Sequence, residues 1–219
     1  MKIDLTVPNE LKDIKLKDYQ KYMKVVELSE EDTELLNIKA VEIFCHVKFK
    51  DVSGIKLTDF EDIILMIDGA LKQSNKWTQK FKLKGKHFGF IPKLDDMSIG
   101  EYIDLSNYMS NTQTFHKAMA VMYRPITQEA NDMYLIEEYE GADKYADIMK
   151  ESTLDIMLGA NVFFYNLGNE LLKHTVESLE GQENQSTQVK QILGENGAGI
   201  KAFTQSLEGI YLPLDVSLN

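Results

Sequence analysis

FKLKGKHFGFIPKLDDMSIGEYIDL, residues 81–105, falls into two halves that call for different secondary structure. In the first half apolar residues alternate with polar ones around Gly85, with Phe81 and Leu83 before it and Phe88 and Phe90 after it. A period of two interrupted by a glycine predicts a β-hairpin turning at Gly85 and ended by Pro92. In the second half Ser98 and Glu101 stand three residues apart, ahead of Ile99, Tyr102, Ile103 and Leu105. That spacing is a capping box: the serine oxygen and the carboxylate each accept one of the N–H groups that open a helix. A hairpin feeding a capped helix makes the chain a mixture of strand and helix.

Outward from this stretch the pattern is mostly helical. Phe115, Ala118, Met119 and Met122 mark a helix over 113–123, which Arg124-Pro125 stops because the residue before proline is pushed out of the helical region. ITQEANDMYLIEEYEG (126–141) predicts a second hairpin, with Ile126 on one arm and Tyr134 and Ile136 on the other. From Thr153 to about residue 180 an apolar stripe through Leu154, Met157, Leu158, Phe164, Leu171 and Leu179 predicts a helix roughly 42 Å long at 1.5 Å per residue. Gly159 and Gly168 lie inside it, where a glycine implies a close backbone approach or a bend.

Toward the N-terminus, KIDLTVP reads as a short strand or extended arm ending at Pro8. Leu16, Tyr19, Met23 and Val26 keep helical spacing. Ser29 with Asp32 predicts a capping box ahead of Leu35, Leu36, Ile38, Val41, Phe44 and Cys45. Thr58 with Glu61 predicts another, ahead of Ile63, Ile64, Ile67 and Leu71. At the other end, polar residues 180–187 read as a loop, 187–193 as a short helix, GENGAG (194–199) as a flexible connection, and 205–219 as an extended arm. The expected architecture is one mainly α domain over 1–219, α+β by strict count. A hairpin is inserted at about 78–93, and the core is built from the 35–47, 60–72 and 153–180 helices.

Composition narrows function. A net charge of −11 opposes general nucleic-acid binding, which depends on cations displacing counterions from phosphates. Arg124 is the sole arginine, so the chain is poor in forked donors for carboxylate or phosphate. No run of eighteen apolar residues suggests a membrane span, and the start lacks a secretory pattern. Cys45 is alone, which excludes an internal disulfide and suits a reducing cytoplasm. Adjacent Cys45 and His46 would point about 100° apart on a helix, and His87, His116 and His174 are scattered without HExxH spacing. GENGAG lacks the spacing of a phosphate loop, and the acidic clusters lack that of a calcium loop. No catalytic set, cofactor motif or metal set emerges.

The strongest local anomaly is basic. Lys80, Lys82, Lys84 and Lys86 sit in an acidic chain beside Phe88, so the hairpin is a candidate protein contact. The competing readings are a solvated strand edge guarded by lysines and, less compatible with the overall charge, a nucleic-acid finger. An acidic neighbour, including a second copy, would complement it. Arg124, just past a helix end, is expected to be structural and to bond the last carbonyls or a carboxylate such as Glu101 or Asp104.

At FKLKGKHFGFIPKLDDMSIGEYIDLSNYM, followed by FHKAMAVMYRPI, the sequence resembles small proteins encoded among the virion and assembly genes of tailed bacteriophages, notably crAss-like phages. The resemblance covers residues 80–127 and carries no catalytic residues. It implies a morphogenesis role in the bacterial host cytoplasm and then in the virion. The implied roles are a head–tail connector ring subunit, forming homo-oligomers and binding other virion proteins, a non-virion tail assembly chaperone, or packaged cargo. An enzyme or a nucleic-acid-binding regulator is the reading from another class.

Overall fold

The computed structural model describes residues 5–29, 32–131 and 133–164. Within them the fold is helix-dominated α+β, with one antiparallel four-stranded sheet. The expected long helix is helical over 154–164. Its continuation, Gly168, the 187–193 helix and the 205–219 arm lie outside the described residues.

The first helices follow the apolar spacing, but two of their starts differ from expectation. Helix α1 (Leu16–Leu28) ends at Ser29, which is its C-cap and not the N-cap of the next helix. Asp32 caps α2 (Thr33–Phe44) directly, accepting the Leu35 N–H at 2.9 Å. After the single turn α3 (Phe49–Val52), helix α4 (Leu57–Leu71) begins from Lys56 with no side-chain cap. Thr58 is already inside that helix, so its hydroxyl cannot act as the N-cap. The N-terminal arm is not a strand over residues 5–9. Leu5 and Val7 are half-buried against the core instead.

The hairpin of β1 (Lys80–Leu83) and β2 (Lys86–Phe90) forms as expected. Lys84 at φ 48° and Gly85 at φ 82° both adopt the left-handed conformation of a two-residue hairpin turn. Helix α5 (Ile99–Met109) opens on the Ser98–Glu101 box with both bonds made. Helix α6 (Phe115–Met122) runs straight into β3 (Tyr123–Ala130), which turns at Asn131 into β4 (Met133–Ile136). Helix α7 (Asp143–Met149) was not anticipated; it is seven residues long and has no side-chain cap.

The two hairpins are not separate. Strands β2 and β3 pair in the register Phe88 with Pro125, Gly89 with Arg124 and Phe90 with Tyr123, giving the order β1-β2-β3-β4. One face of this sheet carries an aromatic seam. Phe90 packs on Tyr123 (5.2 Å between centroids), Phe163 (5.2 Å) and Phe164 (5.6 Å), while Trp77 stacks on Phe163 at 4.7 Å. The 154–164 helix is thereby tied to the sheet, and a Cβ at Gly159 would come 2.7 Å from the Lys76 carbonyl oxygen. That is the close approach expected of this glycine. The N-terminal segment closes the body, with Leu154 N–H donating to Ile14 (2.8 Å) and Leu16 N–H to Ser152 (2.9 Å). Residues from the 35–47, 60–72 and 153–164 stretches share one buried cluster, but α6 contributes to it as fully, and Phe88 and Phe90 of β2 belong to it too.

On the opposite face of the sheet the Tyr134 ring lies directly over Gly89, in the space a Cβ would take, and its hydroxyl donates to the Phe90 carbonyl at 2.7 Å. Gly89→Ala is therefore expected to destabilise the fold by about 1–3 kcal/mol through overpacking. Gly100→Ala, whose Cβ meets nothing nearer than Ser98 Oγ at 3.9 Å, should leave the denaturation midpoint unchanged or slightly higher. Urea titration of the two variants checks both.

Candidate functional site

The lysines of the hairpin have different fates. Lys80 bonds Glu129 at 2.6 Å and lies 5.7 Å from the Tyr134 ring centre. Lys86 sits 5.2 Å from the Tyr145 ring centre, and Lys84 stands 3.8 Å from Glu151. Lys82 is exposed and makes no ion pair with a described residue. Phe88 is fully buried, stacked on Phe81 and edge-on to Tyr145. It belongs to the core and cannot serve as a docking residue, because the alternation that places Lys80 and Lys82 on one face turns Phe81 and Phe88 to the other.

Glu151 collects the basic groups of two elements. Lys17 and Lys15 bond its two oxygens at 2.6 and 2.9 Å, and these hydrogen bonds hold its carboxyl down at about 2. Cys45 is the reverse case: burial pushes its thiol up to about 11, a poor nucleophile at neutral pH. His46 follows it at φ 55° with an exposed side chain, so the pair diverges. Among the described residues no group of three or more His, Cys, Asp or Glu could hold a metal ion. No described helix is long and apolar enough to cross a membrane.

Arg124 and Glu101 form the one ion pair among the described residues in which both side chains are less than a tenth exposed. The Arg124 Nη2 donates to Glu101 Oε1 at 2.7 Å. Of the partners open to Arg124 the structure selects Glu101; Asp104 instead accepts the Tyr139 hydroxyl. The Tyr139 ring covers the guanidinium at 5.5 Å, while Nε and Nη1 of Arg124 have no acceptor among the described residues.

Beside this pair runs a groove of about 770 Å³. The continuous run 133–139 lines one side and 91–93, Asp96 and Ser98 another, with Gln79, Glu101 and Arg124 also lining it. Side chains of consecutive strand residues point to opposite faces, so a groove lined by every residue from 133 to 139 meets β4 along its backbone edge. Sequence reasoning found the arm but not the edge, which exists only because β2 and β3 pair. The available signal was MYLI itself, a strand with no lysine or proline. No protein family, curated protein or solved structure matches the chain.

Two outcomes follow from these pairs. Arg124→Met alone should cost about 3–5 kcal/mol, since it strands a buried carboxylate, while the double variant with Glu101→Met should recover most of that loss in denaturant titrations. Glu151 has a depressed pKa, so its contribution is complete above about 4.5, its unperturbed value, and is lost as pH falls through about 2. Thermal melts of Glu151→Gln from pH 6 to pH 2 should show a flatter acid limb than those of the parent chain.

Proposed function

We propose that the chain is a structural protein of a tailed-phage virion, a subunit of a head–tail connector ring that binds neighbouring copies and other virion proteins. The observation that carries this reading lies on α5, inside the stretch that resembles phage morphogenesis proteins. Ile99 (75% exposed), Tyr102 (55%) and Ile103 (50%) form a stripe at helical spacing that the body leaves in solvent. Directly behind it, Glu101 is clamped to Arg124. A rigid backing with an apolar outer stripe is suited to being covered by another subunit. The exposed Lys82 and the hairpin tip add a basic point of contact for the acidic body of a neighbour. In this role the chain needs no catalytic residue, cofactor or direct nucleic-acid contact, and it works in the host cytoplasm during assembly and then in the particle.

The same apolar stripe also suits a non-virion assembly chaperone that holds a client, or packaged cargo. Mass spectrometry of purified particles separates these roles. A connector subunit is present at a fixed, symmetric copy number, cargo at a variable one, and a chaperone is absent. Deleting 82–88 would remove the buried Phe88 and unfold the hairpin, so the contact is better tested with Lys82→Glu and Lys84→Glu together. Particle yield should fall at least tenfold while the melting profile is retained. Normal yield would remove the hairpin from the docking surface.

A further inference from the structure

The sheet has two edges, and they differ in kind. Strand β1 carries Lys80 and Lys82 among its four residues, a charged edge of the sort that discourages pairing. Strand β4, the opposite edge, reads Met-Tyr-Leu-Ile without a charge or a proline, and its Met133 (74%) and Leu135 (58%) are exposed. The backbone of β4 has a definite polarity. Glu137 N–H donates to the Pro125 carbonyl at 2.9 Å, so the groups of 133, 135 and 137 face β3. Alternation then turns the N–H and C=O groups of Tyr134, Ile136 and Glu138 outward, into the groove.

We infer that this groove receives the C-terminal segment Gly209–Val216 of a second copy, added as an antiparallel strand to the β4 edge. Three features of that segment match the edge. First, Ile210, Leu212, Leu214 and Val216 alternate with Tyr211, Pro213 and Asp215. Proline has no N–H, so an extended segment must turn the odd residues away from β4 and offer the N–H and C=O groups of 210, 212 and 214 to it. These three stand against the three outward residues 134, 136 and 138. Second, paired residues in an antiparallel ladder share a face, which sets Leu212 and Leu214 beside Ile136 and Tyr134. Third, residues 209–214 carry no charge, so they bring no carboxylate against Glu137 and Glu138 in a groove whose lining also holds Asp96, Lys93 and the paired Arg124.

Opposite β4 the groove is lined by Ile91, Pro92, Lys93, Asp96 and Ser98. Residues 165–208, counted at about 1.5 Å each where the sequence reads as helix and about 3.3 Å each elsewhere, can span on the order of 100 Å, which brings a neighbour's groove within range. Choosing the neighbour as donor rests on the connector-subunit reading.

The test uses the full chain and proline substitutions of opposite parity. In the parent protein, sedimentation should show oligomers, and the amides of Tyr134, Ile136 and Glu138 should exchange at least tenfold more slowly than in Leu212→Pro. Leu212→Pro should be monomeric. Asp215→Pro, which removes an N–H facing away, should behave as the parent. Glu138→Pro, at an exposed residue whose N–H does not face β3, should behave as Leu212→Pro. Equal exchange in the parent and Leu212→Pro overturns the inference, as does protection of these amides in a monomeric parent, which would assign the edge to the chain's own tail. Particles that incorporate Leu212→Pro at normal copy number overturn it while leaving the connector role intact. Absence of the chain from particles removes that role without altering the exchange result.

Discussion

Glu101 uses its two oxygens for two different structural purposes, and the arrangement of the sheet around the helices depends on both. One oxygen accepts the Ser98 N–H at 2.8 Å and starts α5; the other accepts from Arg124 at 2.7 Å and holds the first residues of β3. Desolvating two charges is costly, and a buried pair is retained only where geometry and further hydrogen bonds compensate. Here the capping bond and the overlying Tyr139 ring provide part of that compensation, while Nε and Nη1 of Arg124 have no acceptor among the described residues. A lysine would present a point charge with no plane for Tyr139 to cover, which is consistent with the one arginine of a lysine-rich chain standing at this position.

The clamp also sets the register of the sheet. Arg124 pairs with Gly89, and the absence of a side chain at Gly89 admits the Tyr134 ring from β4. On the reverse face Phe90 packs against Tyr123, Trp77 and the Phe163 and Phe164 rings of the 154–164 helix, and Phe88 against Phe81 and Tyr145. Strands from both hairpins thus meet at β2–β3, with a polar fastening on one face and an apolar one on the other. The N-terminal segment 14–16 is bonded to 152–154, and Glu151 draws in Lys15 and Lys17, so the described chain closes into a single core.

Local patterns were legible where their partners lay close in sequence. The Gly85 hairpin and the Ser98–Glu101 box could be read because each interaction spans a few residues. The Ser29–Asp32 and Thr58–Glu61 boxes have the same spacing, yet neither forms: a box motif does not fix which residue takes the non-helical N-cap conformation, and here Asp32 and Lys56 take it. Helix α7 escaped notice because it is short and lacks a capping side chain, so tertiary packing of Tyr145, Ala146 and Met149 supplies what sequence signals do not. The β2–β3 pairing joins segments separated by two helices, and no period within either segment announces it. Phe88 was misplaced for the same reason. A hairpin read alone has two open faces, and only β3 and Tyr145 show which of them is interior.

The two sheet edges connect this fold to the behaviour of an acidic chain in an assembly. A net charge of −11 keeps separate copies apart, so a contact between copies must draw on surface where that charge is locally absent or reversed. The lysines of β1 reverse it, and several are already engaged by Glu129, Glu151 and Tyr145 of the same chain, which leaves Lys82 most free to act outward. Strand β4 lacks charge altogether, and its backbone groups that turn away from β3, which bond no described residue, border a groove that no described residue fills. An uncharged edge of this kind is a template for pairing with further chain unless it is covered or otherwise blunted. The alternating, proline-marked 209–216 stretch, uncharged over 209–214, is the part of this sequence whose hydrogen-bonding parity suits such a cover, and Glu137 and Glu138 in the groove wall discriminate against segments that carry carboxylates at the pairing positions.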